Sequence, residues 1–436
     1  MTESTPLVAL RNRMARAHAS VRQIAERLHA EKLRQAGAGR YSQHRWSHGG
    51  SDPGALVCEP GGLRQRCTLW GVNHYTGMQR HPEVISAVQA AAAEYGTGSG
   101  TSGMSGGMCS LHKELEAELA SRVGKEKALL FPTGYTANVG ILSTLPQQGD
   151  LVLFDRECHA SIIDGLRMSK ARWLPFRHND VGDLVSKLER LRERFRDVFV
   201  AIESAYSMSG EFAPLADIAA LKQRWRFYLF VDEAHTFGIY GEGGGGYCRQ
   251  LGVSDDVDFL MSTLSKATAS VGGFFAGQEV FVPLLEWCAN PYIFQACLTP
   301  PDAAAALQSL RVLARDRQIV QRLHENNRLM RELLLERGFD LGESRSPIIP
   351  IYVSDDDALL ALNRELFERG VHSVSIVYPA VRPGHGRIRF IVTARHSESQ
   401  IRETVEALAE LAPGHIPGFG RGAQARSVRE APVCMR

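Results

Sequence analysis

Five short apolar runs alternate with helix-like segments between Leu69 and about residue 290, and this alternation constrains the fold more than any other feature. Each run has the length and composition of a β-strand. Strands that alternate with helices are typical of a mostly parallel sheet covered by helices. We therefore predict an α/β fold with such a central sheet. The runs are 128–131, 151–154, 199–202, 228–231 and 259–261.

Polar residues follow these runs at the points where the strands would end. They are Thr133, Asp155, Glu203, Asp232 and Thr263. In open α/β sheets, ligands bind at the carboxyl ends of the strands. The spacing therefore predicts that these side chains converge on one crevice.

The N-terminal region has the pattern of an amphipathic helix followed by a linker. Such a helix would pack on its own subunit or a dimer mate, dock to another protein, or belong to a transit peptide, although nearby acidic residues argue against the last. The stretch from Gly37 to Gly62 is rich in Gly, Ser and His and indicates a linker, with ordered structure resuming near Leu69. The seam of the helix is Leu10, Met14, Ala17, Val21, Ile24 and Leu28.

The C-terminal part has the pattern of a smaller α+β domain. A long helical stretch from Asp302 to Arg337 precedes two strand-like runs, 348–353 and 387–392, with a helix near 357–369 between them. The tail from Pro413 has no periodicity and indicates disorder. We predict an N-terminal helix and linker over 1–68 and a large domain over 69–300. A linking helix and small domain would cover 301–412, and a disordered tail 413–436.

Composition excludes several classes of protein. A net charge of +2 in 436 residues offers no basic footprint for nucleic acid. The eight cysteines include no C-x-x-C pair, which argues against zinc and favours reduced thiols. No apolar run approaches the roughly 18 residues of a membrane span, and the N-terminus lacks the uninterrupted apolar region that a secretory signal would have, so none is expected. A cytoplasmic protein without a metal site is expected.

Lys266 lies among hydroxyls and glycines in the run 261–274, a setting that suits an imine-forming amine better than a surface charge. Upstream, the apolar strand 227–231 runs directly into Asp232 and His235. Pyridoxal phosphate (PLP) needs a lysine for its aldehyde and an acid for its pyridine nitrogen. These residues together suggest PLP, with His235 or Ser207 on the ring phenolate. Asp232 could alternatively be a helix cap.

A phosphate site is indicated less specifically. Residues 131–135 lie between a strand and a helix that opens near Ala137, so backbone N–H groups and the helix dipole would favour a dianion. Thr263 precedes Lys266 by three residues and could point toward the same ligand. Taken alone, the first segment has the pattern of an ordinary strand-to-helix turn.

Four segments in this order closely resemble the α-oxoamine synthases. The resemblance runs from about Asn73 to His396 and implies the PLP-dependent transferase fold of type I, with PLP as cofactor. The segments are 158–165, 207–210, 232–246 and 263–266.

The resemblance also implies roles for individual residues. Lys266 would bond to the cofactor and move the α-proton, Asp232 would pair with the pyridine nitrogen, and His159 would stack on the ring face. Ser207 and His235 would contact the phenolate. The other residues that we assign to cofactor binding are Thr133, Gly134, Tyr135, Glu203 and Thr263.

Substrate contacts follow from the same resemblance. Arg389 would bind the amino acid carboxylate, a task that suits a bidentate guanidinium, and Asn73 would contact substrate near the entrance. Two positions depart from the family pattern: Ser102 replaces an arginine of several glycine-using members, and Gln295 stands where many members reach the partner subunit's phosphate with Ser or Thr.

The implied reaction is a decarboxylative Claisen-type condensation of a small amino acid with an acyl thioester, giving an α-aminoketone. The acyl donor would be carried by CoA or by an acyl carrier protein, and the active sites would lie at the interface of a homodimer. An aminotransferase or a retro-Claisen lyase on the same fold is the alternative enzyme. A PLP-binding scaffold without turnover is a third possibility. The amino acid and the acyl chain stay open.

Overall fold

The computed structural model describes residues 14, 18–37, 44–50, 52–59, 62–378 and 380–419. Its centre is a seven-stranded sheet with the order β4-β10-β9-β8-β7-β5-β6. β10 runs antiparallel to both of its neighbours, and the other pairs are parallel. The α/β fold with a mostly parallel sheet is confirmed. The strands are β4 (Lys127–Phe131), β5 (Leu151–Asp155), β6 (Arg172–Phe176), β7 (Val198–Glu203), β8 (Tyr228–Asp232), β9 (Phe259–Thr263) and β10 (Gly273–Gly277).

Helices cover this sheet, and four of its seven strands are buried along their whole length. Every residue of β5, β7, β9 and β10 is buried, which is why these runs are continuously apolar rather than alternating. The helices of this part are α2 (Pro82–Tyr95), α3 (Ser110–Val123), α4 (Gly134–Thr144), α5 (Ala160–Met168), α6 (Val181–Leu191), α7 (Leu215–Ala220), α8 (Tyr247–Leu251), α9 (Val282–Cys288) and α10 (Asn290–Ile293).

A smaller α+β part follows, built on the antiparallel sheet β11-β14-β13. The predicted single helical stretch 302–337 is wrong in one respect: it is two helices, because Asp316 leaves helical geometry with φ −111° and ψ 86°. The elements are α11 (Pro300–Arg315), α12 (Gln318–Glu336), β11 (Ile348–Tyr352), α13 (Asp356–Glu368), β12 (Val371–His372), β13 (Val374–Ile376), β14 (Arg387–Ile391) and α14 (Glu398–His415).

The predicted linker at 37–62 is also wrong. It contains β1 (Trp46–His48) and β2 (Gly54–Cys58), which join β3 (Arg64–Leu69) and β12 in a third sheet. Ordered structure therefore resumes well before Leu69. The strands are held because Ala55 and Val57 of β2 are buried in a small core against Phe367.

The two chain ends also differ from the expected pattern. The helix α1 (Val21–Gly37) does not continue upstream, because His18 has a left-handed φ of 55° and Ser20 exchanges hydrogen bonds with Gln23 as a cap. Of the predicted seam, Leu10 and Ala17 lie outside the described residues. At the other end α14 runs past Pro413, and Phe419 packs on Phe339 with ring centroids 4.6 Å apart. Residues 420–436 lie outside the description.

In the part of the chain that the structure describes, no helix is long and apolar enough to cross a membrane. Nor do these residues contain a group of three or more His, Cys, Asp or Glu side chains placed to hold a metal ion.

His396 makes the stability of the fold sensitive to acid. Its ring stacks on Trp70 with centroids 3.8 Å apart, Nε2 donates to the Leu69 carbonyl and Nδ1 accepts from the Thr393 N–H. Burial lowers the pKa of His396 to about 4, whereas the unfolded chain binds this proton near pH 6.5. The contribution of His396 is therefore complete above about pH 6.5 and is lost as the pH falls toward 4.

We expect the free energy of unfolding to fall by about 2 kcal/mol between pH 7 and pH 5 through this residue alone. Urea titrations of the wild type and of His396→Gln at the two pH values would measure it. The variant should be less stable at pH 7 but should show a flatter pH dependence, since both proteins share every other titrating group. Equal pH dependence in the two proteins would contradict the assignment.

Candidate functional site

The strand ends bring three of the predicted polar residues together. Glu203 and Asp232 are direct register partners at the ends of β7 and β8, and Asp232 pairs with Met261 of β9. Thr263 ends β9, three residues before Lys266. Asp155 does not join this group, because its carboxylate engages His178 Nδ1 and the Asn179 N–H instead.

Lys266 supplies an amine that no other side chain holds. Its side chain is half-buried, and within the described residues no hydrogen bond or ion pair to Nζ is found. The pKa of Lys266 is lowered to about 8: burial is the main cause and Arg389 acts in the same direction, while Asp232 and Glu203 oppose the shift. A substantial fraction of this amine is therefore neutral near physiological pH, the form that reacts with an aldehyde.

Asp232 is held rigidly at the end of β8. Oδ1 accepts from the Ala234 N–H and Oδ2 accepts from Asn138 Nδ2, each at 2.8 Å. The residue is 4% exposed. The carboxylate is therefore fixed by two donors in a dry environment, where its charge acts strongly on a bound ligand.

Glu203 lies beside Asp232 and supports the backbone of a predicted site residue. Its Oε1 accepts a hydrogen bond from the His159 N–H. Burial and the adjacent Asp232 raise the pKa of Glu203 well above its usual range. Glu203 therefore carries a proton under conditions in which an exposed glutamate is ionised.

Two neutral histidines lie at the site. Burial lowers the pKa of His159, and it lowers that of His235 well below the usual range, with Lys266 acting in the same direction on both. His235 Nδ1 lies 2.7 Å from the Tyr75 hydroxyl. The Nδ1 atom of His235 is thus occupied by Tyr75, which leaves Nε2 as the ring nitrogen available to a ligand.

The turn between β4 and α4 presents two free amides. The Thr133 hydroxyl and N–H exchange hydrogen bonds with Thr136 as a capping box. The N–H groups of Gly134 and Tyr135 have no partner within the described residues. Such amides at the start of a helix favour an anion, so the backbone of Gly134 and Tyr135, rather than the Thr133 side chain, is free to bind one.

Gly134 is also packed against Thr263. A Cβ on Gly134 would lie 2.7 Å from Thr263 Cβ, so a larger residue would push the two segments apart. The Thr263 hydroxyl donates to the Gly272 carbonyl at 3.0 Å and lies 2.8 Å from Ser265 Oγ. The predicted phosphate residues of the two segments are therefore neighbours.

Two predicted substrate residues have unsatisfied polar atoms. Arg389 Nη1 donates to the Ser207 carbonyl at 2.9 Å, but its buried Nε has no partner. The buried Oδ1 of Asn73 also has none. Buried polar atoms are rarely left unpaired in a folded protein, so each is a candidate contact for a bound molecule.

Three residues of the site escaped sequence reasoning. Tyr75 bonds to His235, Asn138 bonds to Asp232, and Ser161 lies 2.7 Å from His159 Nδ1. Ser161 lies inside the segment 158–165 that resembles a known family, and Tyr75 lies two residues after Asn73, where that resemblance begins. Asn138 lies on α4 with no periodicity that marks it.

These features fit PLP. The cofactor needs a reactive amine, an acid at its ring nitrogen and a site for a dianion. Lys266 has the amine, Asp232 the acid, and the free amides of Gly134 and Tyr135 the anion site.

Comparison with known proteins agrees with this geometry. The family model of aminotransferase class I and II matches residues 65–408. The chain belongs to that family. It is 36% identical over 347 residues to a serine palmitoyltransferase of Sphingobacterium spiritivorum, covering 80% of this chain and 87% of the relative. To an 8-amino-7-oxononanoate synthase of Cellvibrio japonicus it is 39% identical over 343 residues, or 78% and 85% of the two chains.

Solved structures give the same result. A serine palmitoyltransferase of Sphingomonas wittichii superposes with a TM-score of 0.84 at 33% identity, over 91% of this chain and 98% of the other. A structure of SPT with PLP superposes with a TM-score of 0.85 at 30% identity, over 91% and 99%. The prediction of a PLP-dependent acyltransferase of the α-oxoamine synthase group, which condenses an amino acid with an acyl thioester, is confirmed.

Proposed function

We propose that this α-oxoamine synthase joins serine to a long-chain acyl thioester. The proposal is supported by the likeness to proteins named serine palmitoyltransferase in both sequence and structure. The observation that carries the site assignment is that two cationic groups of one site are left without a protein partner among the described residues: the Lys266 amine, whose pKa the charge of Arg389 helps to lower, and the buried Nε of Arg389. The guanidinium of Arg389 would hold the carboxylate of an amino acid, and the neutral Lys266 amine would then act as a base toward its α-carbon.

In this proposal each residue has one task. Bound PLP supplies an electron-withdrawing ring that stabilises negative charge at the substrate α-carbon. Arg389 holds the substrate carboxylate, and Lys266 takes the proton from the α-carbon. Asp232 faces the ring nitrogen, and His159 covers the ring face and excludes water.

The reaction balances without a further reactant. The α-carbon forms a bond to the acyl carbonyl carbon, the thiol leaves with a proton, and the carboxylate leaves as CO₂. A proton then replaces it at the α-carbon. One free thiol and one CO₂ are therefore released for each aminoketone.

A matched panel of substrates tests the proposal. Serine, alanine, glycine and threonine would each be combined with palmitoyl, octanoyl and acetyl thioesters of CoA and of acyl carrier protein, with thiol release and product mass measured. Serine with palmitoyl thioester should release thiol fastest. The product mass should equal that of the acyl group plus the amino acid, less CO₂ and the one hydrogen that the acyl group replaces. An aminotransferase would release no thiol and would form a keto acid. A retro-Claisen lyase would consume the aminoketone.

Arg389 gives a separate prediction about substrate binding. Replacing it by alanine should raise KM for the amino acid on the order of a hundredfold, because a bidentate charged contact is lost. Arg389→Lys keeps the charge but not the planar fork, and should recover only part of the affinity. The KM for the acyl thioester should change little in either variant. An unchanged amino acid KM in Arg389→Ala would remove Arg389 from the site.

We also propose a homodimer. Large apolar side chains are exposed on and beside α9 and α10, and the segment that follows is tied to the glycine-rich loop 96–107, since Ser99 donates to the Leu298 carbonyl at 2.6 Å. A second copy that covered this patch would lie next to the site, within reach of Gln295. Light scattering should give about twice the 48.1 kDa of one chain. The exposed residues are Val280, Leu284, Trp287 and Phe294.

A cytoplasmic location completes the proposal. The seven cysteines of the described residues are all free; four of them are buried and two are half-buried. Reduced thiols are typical of the cytosol.

A further inference from the structure

The side-chain amide of Asn138 connects two groups to which the proposed function gives separate tasks. Its Nδ2 donates to Asp232 Oδ2 at 2.8 Å and to Ser161 Oγ at 2.9 Å. Asn138 and Ser161 are each 1% exposed, so water does not compete for these bonds. One amide therefore uses both of its N–H bonds inside the site.

The carboxylate of Asp232 determines which atoms donate and which accept in this hydrogen-bond network. An ionised carboxylate only accepts hydrogen bonds, so Asn138 must turn its NH₂ group toward Asp232. The reversed amide would place two oxygens 2.8 Å apart. In the observed orientation Ser161 Oγ accepts from Asn138, and the Ser161 proton must therefore be donated to a different atom.

That atom is a ring nitrogen of His159. Nδ1 lies 2.7 Å from Ser161 Oγ, and the Ser161 N–H also donates to Nδ1 at 3.3 Å. A ring nitrogen that accepts hydrogen bonds carries no proton, so a neutral imidazole here must hold its proton on Nε2. Burial lowers the pKa of His159, which agrees with a neutral ring.

Close packing of two helices makes these contacts possible. Asn138 lies on α4 and Ser161 on α5, and a Cβ on Gly165 of α5 would lie only 3.0 Å from the Asn138 carbonyl oxygen. A side chain at Gly165 would push α5 away from α4. The glycine therefore allows the approach on which the Asn138–Ser161 contact depends.

We propose that Asn138 and Ser161 are positioning residues that select the Nε2–H form of His159 and couple its orientation to Asp232. The inference rests on the proposed function, in which His159 covers the ring face of the cofactor. With Nδ1 tied to Ser161, the imidazole cannot turn about its Cβ–Cγ bond without losing two hydrogen bonds. Asn138 thus sets the plane of the imidazole and the position of the carboxylate together.

Neutron diffraction from deuterium-exchanged crystals of the PLP-loaded enzyme tests this directly. The wild type should show deuterium on His159 Nε2 and none on Nδ1. In Asn138→Asp an acceptor replaces the donor, so the Ser161 hydroxyl should turn away from the ring and the deuterium should move to Nδ1. Deuterium on Nδ1 in the wild type, or an unchanged pattern in Asn138→Asp, would overturn the proposal.

The double variant Asn138→Asp/Ser161→Ala is the matched control. Without the hydroxyl, the change at 138 has no route to the ring, and the deuterium should stay on Nε2. If Asn138→Asp does not fold, Ser161→Ala alone remains informative. It should show His159 in more than one ring orientation, and a single orientation identical to the wild type would contradict the coupling.

Kinetics provide the second readout. Ser161→Ala should lower kcat by roughly ten- to a hundredfold, since the ring is no longer held, while KM for the amino acid should change little. Ser161→Thr restores the hydroxyl and should recover most of the loss. The diffraction result does not depend on turnover, so an enzyme that fails the thiol-release assay still tests the hydrogen-bond network.

Discussion

Lys266→Ala is expected to lose turnover by roughly 10⁴-fold or more, because the variant lacks both the amine that bonds to the cofactor and the base that moves the α-proton. The wild-type amine is prepared for this chemistry, since burial lowers the pKa of Lys266 to about 8. Borohydride reduction followed by peptide mapping should find the pyridoxyl adduct on Lys266 in the wild type. Thiol release from an acyl thioester would be measured in parallel.

Two controls separate the loss of the amine from damage to the fold. A small alkyl amine added to Lys266→Ala should restore part of the rate, because it can enter the space left by the side chain and take up the proton. The wild type stripped of cofactor should recapture PLP faster as the pH rises toward 8, since only the neutral amine attacks the aldehyde. Full activity in the variant, or an adduct on another lysine, would show that Lys266 is not the residue that bonds to the cofactor.

The sequence predicted the part of the site that depends on strand ends. Glu203, Asp232 and Thr263 follow apolar runs, and neighbouring strands end at one edge of the sheet, so their convergence needed no knowledge of pairing. Asp155 follows the same rule and still lies outside the site. The rule places a residue at the edge of the sheet, whereas its contacts, here with His178, depend on the loops above it.

Two of the three residues that sequence reasoning missed depend on long-range contacts. Asn138 meets Asp232 across 94 positions, and Tyr75 meets His235 across 160. No local periodicity encodes such a pairing, since the sequence around Tyr75 and Asn138 does not identify the distant partner of either residue.

The misread segments have a different cause, since short elements give weak patterns. β1 is three residues long. The buried residues of β2 pack against Phe367, which lies far along the chain, so the local sequence does not show that this strand is buried. The helix break at Asp316 likewise carries no Gly or Pro to mark it.

Asp232→Asn is expected to retain the fold but to slow removal of the α-proton by roughly 10³-fold, because an amide cannot supply the negative charge that keeps a ring nitrogen protonated. Both oxygens of Asp232 accept hydrogen bonds, from Ala234 and from Asn138. An amide has one acceptor in place of two, so its NH₂ group must face one of these donors. The variant therefore loses the negative charge, and it can no longer accept hydrogen bonds from both Ala234 and Asn138.

Exchange of the amino acid α-hydrogen for deuterium, measured by NMR without any thioester, isolates this step from acyl transfer. Asp155→Asn is the matched control: it changes another buried carboxylate at a strand end, but one that bonds to His178 and Asn179. That variant should unfold at a lower temperature and yet exchange the α-hydrogen at close to the wild-type rate. If instead both variants slow the exchange equally, the loss comes from the sheet edge as a whole, and Asp232 has no special relation to the cofactor ring.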